Sequence, residues 1–242
     1  MAAPRTPAEA IGNLLSDARF GAGFLQRHGW RLVLVFVGLL LPLWGFAELA
    51  DEVLEGEPFD FDEPILLFAR EAAAGGLDRL FLLASKLGYE WGVVPVDILL
   101  VLGLALARRH REGLFAGVAL AGSALLNIAA KQAFARDRPS LWESIAPEHN
   151  FSFPSGHAMG SMTLAMVLVL LCWHTRWRWP LLAAMALFVT LVGLSRVYLG
   201  VHYPSDILAG WTAALAWTAA TWLLVNRRVA PADAQGLRQP AE

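Results

Sequence analysis

Two histidines in the second half of the chain lie in segments suited to nucleophilic and acid–base chemistry. His202 precedes Asp206 by four residues, across a predicted helix start. This spacing lets the carboxylate hold one ring nitrogen while the other nitrogen is presented as a nucleophile. His157 directly follows Gly156 and is a candidate to protonate a leaving oxygen and then to take a proton from water. The pair indicates group transfer through a covalent intermediate.

Prolines beside both histidines predict helix N-termini, which bind anions. Pro154 and Pro204 each suit the first turn of a helix, where the missing amide hydrogen has no cost. Free N–H groups and the positive end of the helix dipole attract an anion there, and Gly156 lets the backbone approach it. Three cations lie in neighbouring polar segments: Lys131, Arg138 and Arg196. Several positive donors suit a phosphoryl group, which we predict to be the anion.

The composition places these residues in a membrane protein. Of the 242 residues, 57% are hydrophobic and 17% are charged, and the mean hydropathy is +0.50. Such an apolar excess excludes a disordered or fibrous chain. The net charge of −2 argues against a nucleic-acid partner, because binding to nucleic acid requires a basic surface.

Six stretches are long and apolar enough to cross a bilayer, which takes roughly 20 helical residues. They are residues 32–49, 91–107, 113–130, 155–173, 179–194 and 207–225. The predicted fold class is therefore all-α, a polytopic bundle of six transmembrane helices. The acidic run at 51–63 is interpreted as a solvated face. Residues 65–88 are predicted to form two short amphipathic helices in the outer interface, bordering the site.

Basic residues predict the orientation, because they concentrate on the cytoplasmic side. Twelve share one side: Arg5, Arg19, Arg27, Arg31, Arg108, Arg109, Arg111, Arg176, Arg178, Arg227, Arg228 and Arg238. We therefore expect cytoplasmic tails at 1–30 and 227–242 and a membrane domain at 31–226, with its motifs within 131–206. The active site is expected on the periplasmic or outer face of a bacterial-type inner membrane.

Three motifs resemble those of the type 2 phosphatidic acid phosphatase superfamily, in its membrane branch. Residues 131–139 match K-x6-R-P, residues 154–157 match P-S-G-H, and residues 195–206 match S-R-x5-H-x3-D. The resemblance implies a helical bundle that acts as a metal-independent phosphatase without a cofactor. It implies a phosphohistidine at His202, with Asp206 orienting the nucleophile. It also implies a set of residues that bind or protonate the phosphate: Lys131, Arg138, Ser155, Gly156, His157 and Arg196.

The resemblance implies a lipid phosphomonoester or pyrophosphate as substrate, of the undecaprenyl pyrophosphate, phosphatidylglycerol phosphate or phosphatidic acid type. The motifs leave open a lipid A phosphatase, or a lipid phosphotransferase in which a lipid hydroxyl replaces water. Vanadium haloperoxidases are related, but they are soluble and the six predicted spans argue against them. A nonenzymatic transporter or scaffold would carry charges near the membrane midplane rather than at the outer rim. Membrane lipids are the other predicted partner.

Overall fold

The computed structural model describes residues 26, 29, 32–73 and 76–226, and over these ranges its regular elements are all helices. They are α1 (Leu32–Glu55), α2 (Asp62–Ala73), α3 (Asp78–Leu87), α4 (Val93–Leu106), α5 (His110–Phe134), α6 (Gly156–Cys172), α7 (Arg178–Tyr198) and α8 (Pro204–Val225). A π-helical turn at Phe36–Leu40 lies within α1. The predicted tail at 227–242 lies outside the described residues, as does the tail at 1–30 apart from residues 26 and 29. The predicted all-α class is confirmed.

Among the described residues, four helices are long and apolar enough to cross a membrane, namely α1, α5, α7 and α8. The spans predicted at 91–107 and 155–173 correspond to the shorter apolar helices α4 and α6, of 14 and 17 residues. At 1.5 Å per residue these helices extend about 21 and 25 Å, less than a hydrocarbon core of roughly 30 Å. A multi-pass membrane protein is therefore confirmed, and the count of six spans stays a prediction.

Helices α5 and α7 end where α6 and α8 begin, and we call this end of the bundle the site end. The backbone N–H of Ser155 donates to the carbonyl of Asp206 at 3.0 Å, which joins the starts of α6 and α8. A Cβ atom at Gly210 would lie 2.8 Å from the carbonyl oxygen of Ser155 and 3.0 Å from the Cβ of Ala158. The missing side chain therefore lets α8 pack directly on the start of α6, as small residues do between membrane helices.

The core away from the site end is apolar. Buried side chains of α4, α5 and α6 pack together there, and Phe115 meets Trp222 of α8 edge to face at 4.9 Å. One polar pair lies among them, the hydroxyls of Ser123 and Thr163, which are 2.8 Å apart. The Thr163 hydroxyl also donates to the carbonyl of Met159 at 2.8 Å, so both hydroxyls are hydrogen-bonded and can be buried at little cost.

Two short helices predicted between the first spans are present as α2 and α3, and they cover the site end. Helix α3 packs on α7, where the rings of Phe81 and Tyr198 stack with centroids 4.1 Å apart. Helix α2 contributes Leu66, which is fully buried against side chains of α6, α7 and α8. The prediction of a solvated acidic run is wrong for Asp62, at the start of α2, which is 3% exposed. Asp62 is buried because it binds to the candidate site.

Candidate active site

The predicted site residues all lie at the site end, on four segments of the chain. They are Lys131 and Arg138 from the end of α5 and the loop after it, Ser155, Gly156 and His157 from the start of α6, Arg196 from the end of α7, and His202 and Asp206 from the start of α8. Five of the eight are buried: Lys131, Ser155, Arg196, His202 and Asp206.

His202 is held by a partner at each ring nitrogen. Its Nδ1 lies 3.2 Å from Oδ2 of Asp206, and its Nε2 lies 3.1 Å from a guanidinium nitrogen of Arg138. A neutral ring that donates from Nδ1 and accepts at Nε2 satisfies both contacts. Burial, together with the positive charges of Arg138 and Arg196, lowers the pKa of His202 well below its ordinary value. The ring is therefore neutral at pH 7, with the lone pair of a nucleophile on Nε2.

Asp206 is fixed by contacts on both carboxylate oxygens. Its Oδ2 accepts from the backbone N–H of Tyr203 at 2.9 Å, which closes the first turn of α8. Its Oδ1 accepts from Arg136 at 2.7 Å. The first of these bonds is local, so the sequence could indicate it. Arg136 was not predicted, although it lies two residues before Arg138 in the same motif segment.

The buried carboxylate of Asp62 extends this network to α2. Its Oδ2 accepts from Arg136 at 3.0 Å and from the hydroxyl of Ser205 at 2.5 Å, and its Oδ1 accepts from the backbone N–H of Ser205 at 2.8 Å. A chain of charged groups thus runs from α2 through Arg136 to Asp206 and His202. In the sequence Asp62 is one acidic residue among several, and nothing there distinguishes it from its neighbours.

Arg138 and Arg196 converge on one carboxylate, that of Glu148 in the loop between α5 and α6. Arg138 donates to Oε2 of Glu148 at 2.6 Å, and Arg196 donates to Oε1. Arg196 also donates to the hydroxyl of Ser85 in α3. Its buried Nε has no hydrogen-bond partner among the described residues. This guanidinium therefore keeps a donor available for a further acceptor.

Glu148 was also not predicted, because a single carboxylate in a polar loop carries no pattern. Burial favours its neutral form, but the positive charges of Arg196, Arg138 and Lys131 outweigh burial and lower the pKa of Glu148. The carboxylate is therefore ionised at pH 7. It is an anion at the centre of the predicted cation cluster.

The start of α6 lies one residue after the start of the predicted span at 155–173 and two residues after Pro154. Pro154 was expected in the first turn, but the helix begins at Gly156 and Ser155 is its N-cap. The hydroxyl of Ser155 accepts from the backbone N–H of Ala158 at 3.4 Å, so a serine cap replaces the proline as the start signal. Pro204, by contrast, is the first residue of α8, as predicted.

Lys131 is held at the wall of the site by the loop that follows it. Its ammonium donates to the carbonyl of Phe151 and to the side-chain oxygen of Asn150, the latter at 3.4 Å. Arg138 donates to the backbone carbonyl of the same Asn150 at 2.7 Å and to that of Val201 at 2.6 Å. Both cations are therefore tied to carbonyl groups around the cluster, which leaves them charged and fixed in place.

His157 faces the cluster from the start of α6. Its Nδ1 lies 3.9 Å from Oε1 of Glu148, and its ring lies 5.2 Å from the ring of Tyr89. Nε2 of His202 also lies 3.9 Å from this carboxylate, at Oε2. An anion at this point therefore faces both imidazoles and both arginines. This arrangement can place a phosphoryl group between a nucleophile and an acid.

Over the described ranges, no group of three or more histidine, cysteine, aspartate or glutamate side chains is placed to hold a metal ion. The carboxylates of the site are paired instead with arginines, Asp62 and Asp206 with Arg136, and Glu148 with Arg138 and Arg196.

These features define a helical membrane protein in which two arginines hold a carboxylate between two histidines. The chain belongs to the PAP2 superfamily, whose sequence profile matches residues 112–230. A decaprenylphosphoryl-5-phosphoribose phosphatase of Mycolicibacterium smegmatis is 33% identical over 156 residues, which cover 61% of this chain and 81% of that protein. The resemblance predicted from the three motifs is confirmed.

Two further comparisons extend this relationship. An undecaprenyl-diphosphatase of Sulfolobus acidocaldarius is 33% identical over 142 residues, which cover 56% of this chain and 64% of that protein, just under two thirds of its length. The crystal structure of a transmembrane PAP2 type phosphatidylglycerolphosphate phosphatase from Bacillus subtilis matches with a TM-score of 0.66. The match covers 79% of this chain and 98% of that one at 24% identity, and it supports the fold.

Proposed function

We propose that this protein is an integral membrane lipid phosphatase that hydrolyses a lipid phosphomonoester or pyrophosphate through a phosphohistidine on His202. The observation that carries the proposal is the state of His202. The imidazole of His202 is buried and neutral, with Nδ1 3.2 Å from Oδ2 of Asp206 and Nε2 3.1 Å from a guanidinium nitrogen of Arg138. A histidine in this state is a nucleophile, and the neighbouring cations make phosphorus its target.

In the first step, Nε2 of His202 attacks phosphorus and the P–N bond forms. The bond from phosphorus to the leaving oxygen breaks, and its electron pair goes to that oxygen, which His157 protonates. Lys131, Arg138 and Arg196 bind the equatorial oxygens, together with the N–H groups at Gly156 and the cap at Ser155. Asp206 stabilises the positive charge that develops on the His202 ring.

In the second step, His157 takes a proton from water and the oxygen of that water attacks phosphorus. The P–N bond breaks, its electron pair returns to Nε2, and inorganic phosphate leaves. Each proton and electron pair is accounted for by these two histidines. The proposed reaction therefore needs no divalent metal, and we expect a chelator to leave turnover nearly intact while vanadate inhibits.

The proposed substrate is a lipid, since the site lies at the end of apolar helices and its relatives are named for lipid phosphates. A lipid that enters sideways keeps its chains in hydrocarbon, which avoids exposing them at roughly 0.8 kcal/mol per CH₂. Candidates are undecaprenyl pyrophosphate, phosphatidylglycerol phosphate and phosphatidic acid. Phosphate release from a panel of these lipids by purified protein in detergent identifies the substrate.

The test of the proposal combines this panel with trapping of the intermediate. We expect a much higher kcat/KM for a lipid phosphate than for its water-soluble headgroup analogue, and an acid-labile phosphoenzyme that His202→Ala abolishes. His174→Ala, at an exposed histidine beyond the opposite end of the bundle, serves as the matched control. Equal efficiencies for the two substrates would remove the case for a lipid, and phosphate trapped on His202→Ala protein would disprove the nucleophile.

We further propose six spans, with both termini cytoplasmic and the site on the outer face. The proposal is supported by basic residues at the end of the bundle opposite His202, namely Arg108 and Arg109 between α4 and α5 and Arg111 in the first turn of α5. In a Cys172→Ala background, an impermeant thiol reagent should modify Ser140→Cys in cells with a permeabilised outer layer and should leave Arg109→Cys unmodified. The reverse labelling would place the reaction in the cytoplasm.

A further inference from the structure

The carboxylate of Glu148 lies at the position where the proposed mechanism requires a phosphoryl group. Its two oxygens accept from Arg138 and Arg196, and each lies 3.9 Å from a nitrogen of one of the two histidines. All four of these side chains are ones that the mechanism assigns to the phosphoryl group or its transfer. Glu148 and a bound phosphate would therefore share one set of partners.

A carboxylate and a phosphate bind guanidinium groups in the same way, through two oxygens that accept parallel N–H bonds. An N–H group that donates to Glu148 is unavailable to the phosphate. A phosphate must displace this carboxylate before it can use the N–H groups of Arg138 and Arg196 that now bind Glu148. The Nε–H of Arg196 has no acceptor among the described residues, so the carboxylate does not use every donor of this arginine. A phosphate has more acceptor oxygens and can accept from this N–H as well.

The position of Glu148 in the chain allows such a displacement. It lies in the loop between α5 and α6, and its side chain is 25% exposed, whereas that of Arg196 is 2% exposed. The loop is anchored on either side of it, by Ser144, whose hydroxyl donates to the carbonyl of Leu199 at 2.6 Å, and by Asn150, whose backbone carbonyl accepts from Arg138. The side chain of Glu148 can therefore turn toward solvent while these anchors and the buried arginine stay in place.

We propose that Glu148 is an internal competitor for the phosphoryl site, a residue that sets how tightly the site holds phosphate. This inference rests on the proposed function, because it takes the arginine cluster to be the phosphoryl site. Between turnovers the carboxylate neutralises part of the buried positive charge. After hydrolysis it returns to the arginines and displaces inorganic phosphate, so the product does not remain on a cluster of three cations.

Competition makes a quantitative prediction. If Glu148 occupies the site nine-tenths of the time, every phosphate ligand binds about tenfold more weakly than it would to a vacant site. Glu148→Gln removes the charge while keeping the shape, so the Ki of inorganic phosphate and the Ki of vanadate should both fall about tenfold. The KM of the lipid substrate should fall by a similar factor, because the competitor weakens substrate and product alike. The kcat should also fall, because phosphate is released more slowly, but by a smaller factor than KM.

The experiment measures inhibition of lipid-phosphate hydrolysis by inorganic phosphate and by vanadate, using the purified full chain in detergent. Glu148→Gln and Glu148→Ala are compared with the wild type and with Glu143→Gln, an exposed carboxylate of the same loop that should leave both Ki values unchanged. Glu148→Asp keeps the charge on a shorter side chain that reaches the two arginines less well, so its Ki values should lie between those of wild type and Glu148→Gln.

An unchanged or raised Ki in Glu148→Gln overturns the inference, since it would make Glu148 a fixed clamp that holds the arginines in place for phosphate. If Glu148→Gln and Glu148→Ala do not fold, a Ki for Glu148→Asp equal to or above that of wild type overturns it in the same way. Failure of the proposed function has a different signature, in which the wild-type protein neither releases phosphate from any lipid nor is inhibited by vanadate.

Discussion

The two histidines stand at two helix N-termini that are held very differently. At the start of α8, the side chain of His202 is 1% exposed, and Asp206, Arg136 and Asp62 form a continuous chain of hydrogen bonds behind it. At the start of α6, the side chain of His157 is 15% exposed, and its neighbours are an aromatic ring and a carboxylate at 3.9 Å.

This difference corresponds to two chemical tasks. A nucleophile must present one nitrogen in one direction and in one tautomer, so it benefits from a rigid support. An acid–base group first protonates the leaving oxygen and later takes a proton from water. These two oxygens occupy the same side of phosphorus one after the other, so the group benefits from some freedom of movement. In the proposed mechanism His202 is the firmly held nucleophile and His157 the more exposed acid–base group, and variants along each set of supporting contacts test this comparison.

The largest effect is expected at the nucleophile itself. His202→Ala should abolish turnover and the phosphoenzyme together, a loss of at least ~10⁴-fold. His157→Ala should slow both the formation and the breakdown of the phosphoenzyme while leaving that species detectable. Rapid-quench trapping of labelled phosphate measures both steps. If His157→Ala abolishes the phosphoenzyme and His202→Ala retains it, the two assignments are exchanged.

A smaller loss is expected one contact behind the nucleophile. Asp206→Asn keeps the side-chain shape but can stabilise the wrong tautomer of His202, which should lower kcat by ~10² to 10⁴-fold. The KM should change much less, because the phosphate-binding cations are untouched. Steady-state kinetics on the preferred lipid separate the two parameters. A loss confined to KM would show that Asp206 supports substrate binding instead of orienting the ring.

A still smaller loss of activity is expected at Asp62, the carboxylate of the network that lies farthest from His202. Asp62→Asn leaves Arg136 without its second carboxylate, so Asp206 is held less firmly and kcat should fall by roughly 10- to 100-fold. Asp60→Asn, in the same acidic run and exposed, is the matched control and should retain wild-type kcat. Equal activities for the two variants would mean that the support of His202 does not extend beyond Arg136.

The smallest effect concerns pH. Attack requires neutral His202, so activity falls as pH drops through the pKa of this ring. Because burial, Arg138 and Arg196 lower that pKa well below 6.5, the acid limb of the kcat/KM profile should lie well below pH 6.5, after correction for the titration of the substrate. An acid limb with its midpoint near 6.5 would show that the His202 pKa is not lowered.

The sequence could predict the part of the site that is encoded locally. The four-residue spacing from His202 to Asp206 lies within one helix start, and Pro204 marks that start. Asp62 and Glu148 could not be predicted in this way, because each reaches the site through contacts across distant segments of the chain. Their partners, Arg136 and Arg196, lie 74 and 48 residues away.

The same limit applies to the fold. Hydropathy located the apolar segments, since it sums over many residues, and the all-helical class followed from it. It did not locate every helix end to within a turn, since α1, α5 and α7 end four to six residues beyond the predicted spans. A serine cap and a glycine begin α6 at Gly156, so Pro154, which was expected in the first turn, lies before the helix. The end of a helix depends on single capping contacts, to which an average over 20 residues is insensitive.

The lengths of the helices have a consequence for the surrounding lipid. Helix α5 has 25 residues and extends about 37 Å, while its neighbours α4 and α6 extend about 21 and 25 Å. In the proposed six-span arrangement, no bilayer of uniform thickness matches the lengths of all three helices. The bilayer must therefore become thinner beside the short helices, or lipid headgroups must move toward the ends of these helices. Because α6 begins one residue before His157, this deformation shortens the descent of a lipid headgroup toward the acid–base group. In that arrangement, the activity of the proposed phosphatase should depend on hydrophobic mismatch and therefore on the chain length of the surrounding lipids.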